Sequence, residues 1–334
     1  MSPVLPLRAP SGNRRRPLLR VLAAAAMLSA PGLYGPDARE PMAGEGPVGI
    51  TAFTLDAPSL GRQVRVWVYL PPCAASGGRA RYPAVYMQDG QYLFDPVRAR
   101  GDNPYVNDYL DRRMRQSREW YGSWQLDRRL DGLFRNGSAG GAIIVGVASS
   151  GSRTVEYSPW PWEDAPEPAG DRYVAFLTGT LKPYVDAHFP TLADRSHTVV
   201  AGSSMGGVIA IYAGLKRQDV FSGIAALSPV LSPRVWGERL TGFVRSRVRA
   251  GETRVYVDIG TREPGFGPIE PLERALRDVG FTAAQLRFRH VAGGAHRVED
   301  WGARFPRALT WLLQPNAMDA PGGCDLRGHG SGPE

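Results

Sequence analysis

The sequence predicts a three-layer α/β sandwich: a mostly parallel central sheet, entered through antiparallel N-terminal strands and covered by helices on both faces. Three observations carry this. From about residue 51 to residue 313, short apolar runs alternate with stretches of helical length, the order that packs helices on a parallel sheet. The runs AIIVGVA (142–148) and TVVAG (198–202) are apolar without a break, as central strands covered on both faces must be. Val64-Arg65-Val66-Trp67-Val68-Tyr69 instead alternates with period two, the pattern of a half-exposed strand.

In chain order, 51–55 and 64–70 form the opening antiparallel pair. Further strands are expected at 84–88, 142–148, 198–201, 223–227, 254–259 and 286–291. Helical patterns fall between them at 171–188, 205–215, 270–279 and 299–313. Segments 117–124 and 157–170 (YSPWPWEDAPEPAG) are irregular, rich in aromatics and long enough to be functional loops. The chain shows no internal repeat and no inner linker.

Composition agrees with one large domain. Of 334 residues 43% are apolar, enough for a sizeable core, and the 40 Gly and 29 Pro follow no period, which excludes collagen, long coiled coils and wholesale disorder. The net charge of +8 raises the possibility of nucleic acid. The arginines are nonetheless dispersed, apart from Arg14, Arg15 and Arg16, whereas a nucleic-acid footprint is clustered; none is expected as a partner.

Arg14–Arg16 precede the apolar run VLAAAAMLSA (21–30), with Pro31, Gly32 and Gly35 behind it. A basic stretch, a short apolar stretch and small residues describe a secretory signal, and ten residues are too few to span a bilayer, which needs about 20. An exported bacterial protein, periplasmic or secreted, is expected, with a signal and leader at 1–46, a catalytic domain at 47–314 and a Gly/Pro-rich disordered tail at 315–334. A disordered arginine-rich leader is the alternative. Only Cys73 and Cys324 are cysteines; an oxidising compartment would permit their pairing, and sequence leaves that open. No Cys/His cluster has ligand spacing, so neither metal nor cofactor is expected.

The chemistry concentrates at Ala201-Gly202-Ser203-Ser204-Met205-Gly206-Gly207. A strand, then G-x-S-x-G, then a helix makes a sharp turn that presents the Ser204 hydroxyl. Gly202 and Gly206 are expected to be required there, because a Cβ would strike the neighbouring strand and helix. The Met205 N–H then lies at the helix N-terminus, where an oxyanion could be held. A hydroxyl near neutral pH needs a base, and the base an orienting acid, in the chain order Ser, acid, His. Of the histidines after Ser204, His290 lies within a strand and His329 in the tail, while His296 follows the last strand in Ala292-Gly293-Gly294-Ala295-His296; His296 is the expected base. His188 and His197 precede the serine and fit no slot. Glu263, in the turn after strand 254–259, is the expected acid; Asp258 is the rival, but alternation buries it in the sheet. A second oxyanion donor belongs after strand 84–88, where Gly90 lets the chain turn and the Gln91 N–H faces the site.

Several blocks in order resemble the esterase family of α/β-hydrolases, which includes enterochelin, feruloyl and acetylxylan esterases, S-formylglutathione hydrolases and mycolyltransferases. They are VWVYLPP (66–72), YPAVYMQDGQYLFD (82–95), EYSPW (156–160), AGSSMGGVIAIYAGLKRQDVFSGIAALSP (201–229), VDIGTRE (257–263) and GGAHRVEDW (293–301). The resemblance implies an α/β-hydrolase fold, Ser204 as nucleophile, Glu263 as acid, His296 as base, and the main-chain N–H groups of Gln91 and Met205 as the oxyanion hole. Tyr92 departs from the pattern, and 98–121 looks like an insertion near the site.

The expected activity is that of a serine carboxylic-ester hydrolase acting through an acyl-enzyme on a small-molecule or glycan-linked ester, most similar to enterochelin esterases. Acyl transfer to a sugar or lipid hydroxyl is the alternative among enzymes. A binding protein on the same fold is the alternative outside them, although decay of activity should have eroded Ser204, His296 or the glycines. Trp120, Tyr121, Trp124, Trp160, Trp162 and Trp236 lie in expected loops, where aromatic planes suit sugars, catecholates or aromatic acyl groups and could equally pack loops onto the core. Trp301 is expected to anchor the last helix. Arg153 and Glu156 are expected to form a loop-fixing ion pair, with contact between Arg153 and an acidic substrate as the alternative.

Overall fold

The alternating segment folds into an antiparallel pair, β1 (Ile50–Ala57) and β2 (Arg62–Tyr69), turned by Pro58–Leu60 and by Gly61 in the left-handed region. The computed structural model describes residues 49–75, 80–94, 122–135, 140–232, 236–263 and 265–314. The expected leader, tail and 98–121 insertion, with Trp120, Tyr121, Cys324 and His329, lie outside the described residues. Strand β2 pairs antiparallel with β4 (Ile143–Val147); beyond it every neighbour is parallel. With β3 (Ala84–Gln88), β5 (Thr198–Ser203), β6 (Gly223–Leu227), β7 (Arg254–Gly260) and β8 (Leu286–Val291), the sheet order is β1-β2-β4-β3-β5-β6-β7-β8. This is the α/β-hydrolase arrangement anticipated above.

Among the described residues the helices are α1 (Pro72–Ala75), α2 (Leu126–Arg135), α3 (Arg153–Glu156), α4 (Gly170–Phe176), α5 (Lys182–His188), α6 (Met205–Lys216), α7 (Glu238–Arg247), α8 (Glu270–Asp278) and α9 (Val298–Leu312). Side chains alternate between the two faces of the sheet. Val85, Met87, Ile144, Val199 and Ala201 pack with Leu130 and Phe134 of α2 and Phe305 and Leu309 of α9. Ala84, Tyr86, Val145, Val200 and Ile224 face the other way, into α4, α6, α7 and α8. Residues 206–215 of α6 are all buried, which explains why that helix carries no polar face.

The helices depart from the sequence reading in several places. Helices α2 (LDRRLDGLFR) and α7 (ERLTGFVRSR) are rich in charge and bury a narrow stripe, Leu126, Leu130 and Phe134 in one, Leu240, Thr241 and Val244 in the other. The expected helix 171–188 is interrupted by a π-helical turn at Leu177–Leu181. Pro183, near the start of α5, has no N–H to donate and crowds the carbonyl four residues back, so the turn before it widens.

The expected Arg153–Glu156 pair does not form. Arg153 instead clasps Asp89 through two bonds of 2.7 Å, and Glu156 accepts from Arg62 at 2.6 and 2.7 Å. Each carboxylate receives the two parallel bonds of an arginine fork brought from elsewhere in the fold. Four aromatics serve packing: Trp124 and Trp236 are buried, Trp162 lies edge-on to Trp236, and Trp160 packs on Tyr212 and Phe243. Cys73 is disulfide-bonded.

Candidate active site

Ser204 stands between β5 and α6 with φ 54° and ψ −125°, a conformation rarely adopted outside glycine. Both its backbone groups are committed: the N–H donates to Leu227 O at 3.0 Å, and the carbonyl accepts from Gly207 and Val208 at 3.1 and 3.3 Å. Strand and helix therefore meet at almost no separation. A Cβ on Gly202 would stand 2.5 Å from the Gly206 carbonyl carbon. The expectation for Gly206 needs correcting, since a Cβ there would meet Gln88 Cβ at 3.1 Å and Asp89 Oδ2 at 3.2 Å. That is tight without overlap, and its neighbours are side chains.

His296 reaches the same place from the loop after β8. This loop is stitched to the turn after β7: Thr261 N–H donates to Val291 O and Arg262 N–H to Gly294 O, each at 3.0 Å, and Gly293 N–H donates to Thr261 Oγ1 at 2.9 Å. Gly260 is required for this approach, because a Cβ there would lie 2.6 Å from Glu263 Oε1 and overlap Gly294. His296 Nε2 is 3.0 Å from Ser204 Oγ, and Nδ1 is 3.1 Å from Glu263 Oε2. An ionised carboxylate only accepts, so Nδ1 carries the proton in the neutral ring and Nε2 is left to accept from the hydroxyl. Phe266 stacks on the imidazole at 3.7 Å and 7°, and Trp301 meets it edge-on at 4.7 Å.

Glu263 is 5% exposed. Burial pushes its carboxyl up, but hydrogen bonds from His296 and Ser228 and the nearby charges of His296 and Arg304 outweigh this and hold it below the ordinary glutamate value. Its Oε1 accepts from Ser228 Oγ at 2.8 Å and from Gly260 N–H at 3.2 Å. Asp258 is buried behind it, as its place in β7 suggested, and burial raises its carboxyl to about 6 against the pull of Arg304 and Tyr256. Arg304 Nη1 lies 3.1 Å from Asp258 Oδ1, a charge contact whose angles fall short of a hydrogen bond. His290 points outward to Glu270 at 2.6 Å, and its side chain is 54% exposed.

On the other side of Ser204, Asp89 (φ 58°) leads into a 3-10 turn at Gly90–Tyr92. The turn lies against β4, where a Cβ on Gly90 would be 2.7 Å from Gly146 O. The Gln91 carboxamide donates to Ser149 Oγ at 2.6 Å and accepts the Ser149 N–H at 3.2 Å. Among the described residues, the backbone N–H groups of Gln91 and Met205 donate to no protein acceptor.

The sequence reading missed Ser228, Arg304, Phe266 and the Asp89–Arg153 pair. Arg304 had a signal: it follows Trp301 by one helical turn, beside the stripe Trp301, Phe305, Ala308 and Leu309 that α9 buries, where a cation needs a buried partner. Ser228 had none, since only the fold sets β6 against β7. Among the described residues no three His, Cys, Asp or Glu are grouped to hold a metal ion, and no helix is long and apolar enough to cross a membrane.

The sheet order and the strand–G-x-S-x-G–helix turn together define an α/β-hydrolase with its hydroxyl, imidazole and carboxylate at the carboxyl edge of the sheet. Comparison narrows the class. Residues 57–312 match the family described as "Putative esterase"; the chain belongs to that esterase family and is a carboxylic ester hydrolase. A protein of Bacillus subtilis (strain 168), YbbA, is 24% identical over 270 residues, 75% of this chain and 93% of that one. Among solved structures, an enterochelin esterase from Shigella flexneri superposes with a TM-score of 0.60 at 21% identity, covering 82% of this chain and 60% of that one. A ferulic acid esterase superposes with a TM-score of 0.57 at 21% identity, covering 79% of this chain and 97% of that one.

Proposed function

We propose that this esterase works through an acyl-enzyme formed on Ser204, with His296 as general base and Glu263 as the acid that orients it. The observation that carries the reading is the simultaneous reach of one imidazole, 3.0 Å to Ser204 Oγ and 3.1 Å to Glu263 Oε2. Ser204 Oγ attacks the ester carbonyl and its proton passes to His296 Nε2, while the imidazolium that forms is balanced by Glu263. The carbonyl oxygen, now an oxyanion, is received by the N–H groups of Gln91 and Met205. His296 returns the proton to the leaving alcohol; the ester C–O bond breaks, and the acyl group remains on Ser204. Water, deprotonated by the same imidazole, then releases the acid. The left-handed backbone of Ser204 holds its hydroxyl above the turn before substrate arrives, so little reorganisation remains for the reacting step.

The substrate we propose is a small-molecule or glycan-linked ester handled in the manner of the enterochelin esterases, and no cofactor takes part. We further propose export to the periplasm or medium, supported by the basic stretch Arg14–Arg16 ahead of the apolar run at 21–30. Hydrolysis of short and aromatic p-nitrophenyl esters tests the chemistry. Ser204→Ala and His296→Ala should abolish turnover and fluorophosphonate labelling, and His290→Ala should leave both intact. Activity retained by Ser204→Ala would end the proposal.

A further inference from the structure

We propose that Ser228, held by Trp301 and Arg304, is a positioning residue that fixes which oxygen of Glu263 faces His296. The inference rests on the Ser204–His296–Glu263 reading above and deepens it. Ser228 is the first residue beyond β6, fully buried, with φ 46°. Glycine would sit at that φ without the steric cost a Cβ brings. A serine kept there points to a use for its hydroxyl.

The hydroxyl has three partners: Trp301 Nε1 at 3.0 Å, Arg304 Nη2 at 2.7 Å and Glu263 Oε1 at 2.8 Å. Indole and guanidinium nitrogens can only donate. They occupy both lone pairs of the Ser228 oxygen, so its single proton has one acceptor left, Glu263 Oε1. That carboxylate oxygen also receives the Gly260 N–H at 3.2 Å and faces Arg304 Nη2 at 3.5 Å. Every other donor therefore converges on Oε1, and Oε2 is reserved for Nδ1 of His296. A carboxylate so held cannot rotate, and a proton arriving at Oε1 would face donors already in place. The Nδ1–H tautomer follows, with Nε2 directed at Ser204. Arg304 is shared between Glu263 and Asp258, so two carboxylates meet one guanidinium. The remaining negative charge is matched when His296 becomes an imidazolium.

Ser228→Gly removes the hydroxyl and keeps the backbone. Turnover of a p-nitrophenyl ester would be measured for this variant, for Glu263→Gln and for the double variant, with melting temperature as the check on folding. A hydrogen bond to a charged group is worth enough to set the expected loss at about tenfold in kcat, with KM within about twofold. Because Ser228 acts through Glu263, no further loss is expected when Ser228→Gly is added to Glu263→Gln. An unchanged kcat in the first variant, or another tenfold loss in the double variant, overturns the proposal. A Glu263→Gln protein as active as the parent would instead overturn the acid assignment beneath it. If Ser228→Gly gives too little folded protein, Ser228→Cys fills the same space with a weak donor and is expected to lose kcat similarly; full activity there also overturns the proposal.

Discussion

Gly202→Ala is the most direct test of the turn that presents Ser204. The new Cβ would stand 2.5 Å from the Gly206 carbonyl carbon, with Gln88 Oε1 3.2 Å away. Carbon atoms rest at about 3.5 Å or more, so β5 and the first turn of α6 must separate by about 1 Å. Ser204 lies between them and moves with them, against an imidazole now 3.0 Å from its hydroxyl. A misplacement of about 1 Å costs on the order of 10²-fold in rate, and overpacking costs about 1–3 kcal/mol of stability, a fall of several degrees in melting temperature for a domain of this size. Initial rates on p-nitrophenyl butyrate, the rate of fluorophosphonate labelling and a thermal melt read all three. Gly206→Ala is the comparison, because its Cβ contacts of 3.1 and 3.2 Å call for a shift of only a few tenths of an ångström; its loss should be tenfold or less. Turnover of Gly202→Ala within twofold of the parent would refute the close approach.

Three other outcomes are expected. Glu263→Gln should lower kcat by about 10³–10⁴, as removal of an orienting carboxylate does, while Asp258→Asn should stay within about tenfold; the reverse ranking in a steady-state assay transfers the role to Asp258. The folded chain holds the Asp258 proton up to about pH 6, against about 3.9 for an unfolded aspartate. The stability this contributes is complete below about pH 4 and is lost as pH rises through 6. The melting temperature of Asp258→Asn relative to the parent should therefore rise from pH 4 to pH 7, and a flat difference would count against the buried carboxyl. Gly132 lies inside α2 with open space where a Cβ would be, so Gly132→Ala should stabilise by about 0.5–1 kcal/mol; a lower melting temperature would contradict the helix there.

What was legible in the sequence follows from what each residue depends on. The central strands were visible because a strand covered on both faces is mostly apolar, as Ile143–Val147 and residues 199–201 are, and β2 because a half-exposed strand alternates. Ser204 was visible because its turn demands glycine at a fixed offset, and His296 because its glycine-rich loop follows the last strand. Helices α2 and α7 were hidden, since a stripe of three buried side chains among many charges hardly disturbs a polar sequence. Glu156 stands three positions from Arg153 in the sequence, yet the partner of Arg153 is Asp89, 64 positions earlier in the chain. Ser228 and Phe266 were invisible for the same reason, because their roles exist only once β6, β7 and β8 lie side by side.

The neighbouring strands β3, β5 and β6 are each followed at once by a non-glycine residue of positive φ: Asp89 at 58°, Ser204 at 54° and Ser228 at 46°. Each such conformation costs about 1–3 kcal/mol and persists only where the surroundings fix it. Glycine would relieve the cost at all three positions but has no side chain to hold. Arg153 grips Asp89 with two bonds, His296 meets Ser204, and Trp301 and Arg304 close on Ser228. Strain and its restraint therefore coincide residue by residue along the carboxyl edge of the sheet. One clamp steadies the turn that carries the Gln91 N–H, another the carboxylate behind His296, and the hydroxyl between them is placed before any ester arrives.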